Sequence, residues 1–262
     1  MWGSPERVIT KGYFLMRNWI IGAAAILAVA VPGVASAQTG YVGGVYSNVE
    51  VDGADDSDAW GVEGAVAFAG SSSIVFEVDA SVIDPEEGDT GYGVVGHVYS
   101  RNDSHLFGGF VGIAGSDDSE TWTAGLEGAK YFANWTLAGA VAYGNNDDFD
   151  SDGYGVNAEG RFFVNDNLRL NANLGWANID FGGFGDDDAF TYGVGGEYQF
   201  ASLPISVAAG WNHVEFDEVD TEADALSVGV RWNFGGQTLR DRDRNGASQA
   251  TVIGGLGSAF SL

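Results

Sequence analysis

The sequence predicts an all-β fold, a transmembrane antiparallel up-and-down β-barrel of about twelve strands. Three observations carry this. After residue 37, segments of alternating apolar and polar residues recur, each about ten residues long, at roughly sixteen-residue spacing. The connections between them alternate between tight turns and longer acidic loops. Aromatic residues gather near the segment ends and leave the centres to smaller side chains.

Composition narrows the class. Glycine fills 41 of 262 positions and proline only 4, unlike an ordinary soluble domain. With 37 Asp and Glu against 11 Lys and Arg, the formal charge is −26. That charge repels nucleic acid and favours cationic partners. A hydrophobic content of 45% is too high for a disordered chain. The absence of cysteine excludes disulfides, Cys-ligated zinc and a thiol nucleophile.

Residues 1–37 have the form of a signal peptide. Arg7, Lys11 and Arg17 supply a positive start, residues 19–31 an uncharged apolar run, and Pro32-Gly33 a break. Ala35-Ser36-Ala37 fits the small-residue cleavage pattern before Gln38. Met1 or Met16 serves equally as the start. The alternative is a membrane anchor, but the apolar run is shorter than the ~20 residues a spanning helix needs.

Strands are expected at residues 40–51, 59–69, 73–83, 91–101, 105–115, 121–133, 135–145, 153–164, 168–179, 189–201, 205–216 and 225–234. Tight turns fall at 70–72, 101–104, 133–134, 165–167 and 202–204. Longer loops fall at 52–58, 84–89, 115–120, 146–152, 180–188 and 217–224, and these hold 24 acidic residues against two in the tight turns. In a meander, alternate connections emerge at opposite ends. Nearly all connecting acid therefore lies at one end, the pattern of short periplasmic turns and longer external loops.

Parity assigns the faces. Leu226, Val228, Val230, Trp232 and Phe234 share one face of the last strand, against Ser227, Gly229, Arg231 and Asn233. Leu168, Leu170, Leu174 and Trp176 likewise oppose Arg169, Asn171 and Asn173. A soluble barrel would turn the apolar face inward and a membrane barrel outward. Aromatics favour the second: Trp60, Tyr92, Trp122, Tyr143, Tyr154 and Phe190 lie near the acidic ends, and Phe68, Phe132, Trp135, Phe162, Phe200 and Phe234 near the others. A soluble core would place its largest side chains centrally. The inward face then carries Glu63, Glu77, Asp79, Glu127, Glu159, Arg161, Arg169, Glu197 and Arg231 as pore-lining charges. Small residues such as Gly125, Ala138, Ala140, Ala142, Gly193 and Gly195 leave room for water beside them.

The segment 227–234 resembles the assembly signal of outer-membrane barrels, polar–x–Gly–x–x–aromatic–x–aromatic, through Ser227, Gly229, Trp232 and Phe234. With the signal peptide and the meander, residues 38–234 look like a porin-like Gram-negative barrel of alphaproteobacterial type. The resemblance implies a bacterial outer-membrane location, insertion by the barrel-assembly machinery, and passive diffusion of small cationic or neutral hydrophilic solutes. Such barrels usually stop at the terminal aromatic, whereas this chain continues to Leu262. Residues 235–262 are expected to form a flexible periplasmic tail, or else a partial plug within the lumen. Gly257-x-x-Phe-x-Leu262 is a weaker copy of the signal.

Other motifs have bland alternatives. Asp148-x-Asp150-x-Asp152-Gly153, with Glu159 at position twelve, matches a calcium loop, but strands flank it and acid is abundant. Asp241-x-Asp243-x-Asn245-Gly246 is a partial match without the final acid. No resident cofactor is expected beyond Ca²⁺ or another divalent cation at the acidic loops. Such ions would bridge the loops to lipopolysaccharide, or the loops are simply solvated. His97 is expected inward, His105 at a turn and His213 on the lipid face near the external rim. No nucleophile elbow, His-x-Ser pair, metalloprotease helix or phosphate loop occurs, so a non-enzymatic role is expected. The alternative to a channel is a structural or adhesive barrel with acidic surface loops and no open pore.

Overall fold

A computed structural model of the chain describes residues 38–252, apart from 54–55, 70–72, 87, 117–118 and 218–220. The signal-peptide segment and the 257–262 motif lie outside the described residues. Twelve strands form one closed antiparallel barrel. They are β1 (Gln38–Val51), β2 (Ser57–Ala69), β3 (Ile74–Pro85), β4 (Gly91–Arg101), β5 (His105–Ser116), β6 (Ser119–Tyr131), β7 (Trp135–Asn146), β8 (Ser151–Asn165), β9 (Leu168–Asp180), β10 (Asp186–Gln199), β11 (Ile205–Phe216) and β12 (Thr221–Phe234). Each pairs with the next, and β12 closes on β1 with Phe234 opposite Gly40 and Ala223 opposite Val51. Closure is what hydrocarbon requires, since an open edge would leave backbone groups unpaired at several kcal/mol each.

The strands start or stop beyond expectation mainly at the acidic end. β10 begins at Asp186 and β12 at Thr221, each a few residues early, and β8 begins at Ser151. Above the apolar band the ladder continues in water, where backbone pairing needs no hydrophobic period to sustain it. Periodicity therefore marks the membrane-embedded length and not the full strand.

The apolar parity class faces outward. Leu226, Val228, Val230 and Trp232 are 49–58% exposed, and Leu174 reaches 68%. Aromatic pairs sit at both rims: Tyr46 with Trp60 and Trp122 with Tyr143 at the acidic end, Trp135 with Phe162 and Trp232 with Phe234 at the other. At the acidic rim the polar tips of these rings turn upward. Tyr46, Tyr92 and Tyr143 donate to Asp58, Glu120 and Asp152 at 2.7, 2.8 and 2.7 Å, as amphipathic rings at a membrane interface do.

The lumen is fuller than an open aqueous bore. Tyr41, Tyr99, Phe110, Tyr131 and Phe163 point inward and are buried. The Phe110 ring occupies the space that bare backbone at Gly125 leaves, so that glycine admits an aromatic filler and not water. The gap at Gly193 is likewise taken up by the side chains of Asn173 and Asn212.

Of the two expectations for the C-terminal segment, the described residues 235–252 follow the partial plug and not the free periplasmic tail. After Phe234 the chain reverses at Gly235, whose φ of 76° lies in the left-handed region that favours glycine. It then forms helix α1 (Leu239–Asn245), capped by Thr238, which accepts from the Asp241 N–H at 3.1 Å. The helix lies across the tight-turn mouth. Beyond it Ala247, Gln249 and Val252 are buried inside the barrel. Residues 239–252 are a plug.

Candidate functional site

The site is the lumen, and its chemistry is charge pairing on the wall. Alternation along each strand carries all nine expected pore-lining residues inward, and they gather in three groups. In the first, the Arg231 Nε donates to Glu63 at 2.6 Å and its Nη1 to Glu197 at 3.0 Å. Arg169 donates to the same Glu197 oxygen at 3.2 Å, and the Ser206 hydroxyl donates to the other at 2.6 Å. The Arg231 guanidinium also lies 4.6 Å from the centre of the Tyr41 ring. In the second, Arg161 makes two bonds to Glu159, at 2.9 and 2.7 Å. In the third, His97 bridges Asp79 at 2.8 Å and Glu127 at 3.0 Å. Both its ring nitrogens meet carboxylate oxygens, which a doubly protonated ring satisfies. Glu77 accepts from the Tyr99 hydroxyl at 2.6 Å. Charges this buried persist only when compensated: Glu77 is held by hydrogen bonds alone, and each of the others has an oppositely charged partner.

The plug threads all three groups. Arg242 donates to Glu197 at 2.6 Å and also to Asn233. Arg161 donates to Asp243 at 2.8 Å, and Thr136 donates to the other Asp243 oxygen at 2.6 Å. Glu77 accepts from the backbone N–H groups of Ser248 and Gln249 at 3.0 and 2.9 Å. Thr251 donates to Glu159 at 2.9 Å, and Asn157 donates to the Val252 carbonyl at 2.7 Å. Asn157 is near the middle of β8, so the plug reaches about half the barrel's depth. Past Thr251 lies a polar cavity of about 160 Å³, whose lining includes Glu63, Arg169, Asn171, Asn173, Asn212 and Ser227.

Sequence reasoning did not place Arg101, Asn157, Arg242 or Asp243 in the lumen, and Asp243 entered it only through a partial calcium match. Arg101 ends β4 and donates to the Tyr99 hydroxyl at 2.6 Å and to the Gly246 carbonyl at 2.8 Å. Its inward parity with His97 and Tyr99 is the signal that its position beside a turn concealed.

Asp243 gives a pH prediction. Burial pushes its carboxyl up, but the neighbouring Arg161 guanidinium and the Thr136 hydroxyl outweigh that and hold it below the ordinary carboxylate value. A depressed folded pKa contributes stability that is present above the unfolded value and is lost as pH falls through the folded one. Protease protection of the tail is therefore expected to be flat from neutral pH to about 4, and to fall only below that range. Loss of protection between pH 7 and 5 would contradict this.

At the opposite end, the calcium-like motif does not assemble. Asp148 accepts from the Glu120 N–H at 3.1 Å, Asp152 accepts from Tyr143, and Glu159 is committed to Arg161. Asp150 occupies the left-handed region at φ 51°. Among the described residues no group of three or more His, Asp or Glu converges as a metal site. His213 is packed against the Tyr192 ring at 4.7 Å and lies 3.1 Å from Asp224, on the outer face near the acidic rim. His105 sits at the 102–105 turn, hydrogen-bonded to Ser104 and Asn102. Ser227, Gly229, Trp232 and Phe234 lie on β12, the strand that closes the barrel against β1.

Residues 94–239, from β4 to the first turn of α1, match the family model described as Gram-negative porin. The chain belongs to the Gram-negative porin family. Solved structures agree on the fold. The porin superposes on the COG4313 outer membrane channel from Pseudomonas putida F1 with a TM-score of 0.58 and 11% identity, over 78% of this chain and 97% of that one. It superposes on the KdgM porin with a TM-score of 0.53 and 12% identity, over 73% and 99%. No curated protein matches it. The porin is a bacterial outer-membrane protein, with its acidic loops at one mouth and its plug at the other.

Proposed function

We propose that this porin is a passive, non-enzymatic diffusion channel for small hydrophilic solutes and that it prefers cations. The observation that carries the preference is the single-signed mouth. The six longer loops hold 24 acidic residues at one end of the lumen. A rim of one sign beside low-dielectric walls focuses the field and concentrates counter-ions at the entrance. The wall behind it is acidic by a narrow balance, with Glu63, Glu77, Asp79, Glu127, Glu159 and Glu197 against Arg101, Arg161, Arg169, Arg231 and the doubly protonated His97. The asparagines and serine around the cavity offer neutral hydrogen-bonding groups to an uncharged solute. Divalent cations between the loops and lipopolysaccharide, and recognition of residues 227–234 by the assembly machinery, belong to the same reading.

In planar bilayers under a tenfold KCl gradient, the reversal potential is expected to favour K⁺, and the preference to weaken as both baths approach 1 M salt and the Debye length shrinks to about 3 Å. An anion-favouring potential would refute the preference. The plug favours a second reading, a closed structural barrel displaying acidic loops. Correctly folded protein that passes no current with or without its tail would favour that alternative.

A further inference from the structure

We infer that residues 235–252 are a removable gate that closes the tight-turn mouth of the lumen and leaves it open when withdrawn. This rests on the channel reading and adds where and how the channel is closed.

Four features point to a gate and not to a permanent core. The plug follows the last strand, joined to it through the Gly235 reversal, and no described residue of it joins a strand ladder of the barrel, so withdrawing it breaks no strand pairing among the described residues. Its grip is mainly polar. Arg242, Asp243, Thr251 and the backbone of Ser248, Gln249 and Val252 make the bonds, while Leu239, Ala247 and Val252 are the buried apolar side chains. Water can replace polar contacts of this kind, whereas a large apolar interface would be held by its burial.

The wall also does not depend on the plug for its charge pairing. With the tail gone, Glu197 keeps Arg169 and Arg231, Arg161 keeps Glu159, Arg231 keeps Glu63, and His97 keeps Asp79 and Glu127. Among the described residues no ion pair within the wall is broken. Finally, the fit is incomplete. Among the described residues, Arg101 Nε and Nη1, Glu159 Oε1 and Gln249 Oε1 are buried at the plug contact without hydrogen-bond partners. Unsatisfied groups at an interface favour its opening, because water can reach them once it opens.

The mature chain from Gln38 serves as reference for two variants. One stops after Gly236. The other carries Asp166→Cys and Arg240→Cys, at positions joined by a 3.0 Å backbone hydrogen bond and a 3.1 Å ion pair. The chain has no other cysteine, so the one intramolecular disulfide that oxidation can form staples α1 to the β8–β9 turn.

Single-channel recording in planar bilayers is expected to show at least a threefold higher mean conductance for the truncated protein. The oxidised pair is expected to stay at the lowest level, and dithiothreitol to restore the reference behaviour. Equal conductance in the truncated and reference chains overturns the gate, as does an oxidised pair that conducts like its reduced form. If truncation prevents assembly, the stapled pair decides alone. If every folded form, truncated included, passes no current, the channel reading itself falls and the gate with it.

Discussion

Arg161→Met is expected to destabilise the folded porin by about 3–5 kcal/mol, the cost of leaving buried charge without its partner. Arg161 is fully buried, and one guanidinium serves Glu159, Asp243 and Thr251. Removing it leaves two carboxylates facing each other across a site that water reaches poorly. They must then stay charged and unpaired, or take up protons and lose their remaining hydrogen bonds. Urea unfolding from lipid vesicles, followed by tryptophan fluorescence, reads the difference. The triple change Arg161→Met, Glu159→Leu, Asp243→Leu is expected to recover most of the loss, because exchanging a whole buried ionic group for apolar residues is often neutral or better. A single variant within 1 kcal/mol of the reference would mean that the site is far wetter than its burial indicates.

Leu174→Arg is expected to cost about 2–4 kcal/mol, the depth-dependent penalty of placing arginine on a lipid face near the midplane. Leu174 lies at the centre of β9 and is 68% exposed outside the barrel. Its neighbour Asn173 points the other way, onto the polar cavity beside Asn171 and Arg169. Asn173→Arg is therefore expected to change stability by less than about 1 kcal/mol, since wet lumen positions tolerate charge. The contrast between adjacent residues is the content of the prediction. Equal costs, or the reverse order, would mean that the two faces are wrongly assigned.

Much of this fold was legible because a membrane imposes a period on the sequence. Val228 and Val230 must meet lipid while Gly229 and Arg231 must not, and no neighbouring strand can relax that demand. The strand ends were less legible, as at Asp186 and Thr221, because above the interface the ladder is held by backbone bonds alone. The inward aromatics were missed for a related reason. Tyr99 and Phe110 sit at polar-parity positions, and only the glycines opposite them make room.

The plug was least legible. Residues 240–244 read Arg-Asp-Arg-Asp-Arg, a pattern that suits a solvated segment as well as a buried one. Their partners lie far along the chain. Asp243 meets Arg161 across 82 residues, and Gln249 meets Glu77 across 172. No local signal marks such contacts. The calcium-like motif shows the limit of spacing alone: Asp148, Asp150 and Asp152 have ligand spacing in sequence, while in the fold Asp148 and Asp152 bond to separate neighbours.

Tryptophan quenching tests the orientation of the two faces most directly. After residue 37 the chain holds Trp60, Trp122, Trp135, Trp176, Trp211 and Trp232, and all six lie on the apolar parity face. In vesicles of dibrominated phosphatidylcholine, nearly all of the folded porin's tryptophan emission is expected to be quenched relative to unbrominated lipid, while acrylamide added to the water quenches little. Bright emission in brominated lipid would mean that those rings are turned to the interior, and that the barrel does not present its apolar face to acyl chains.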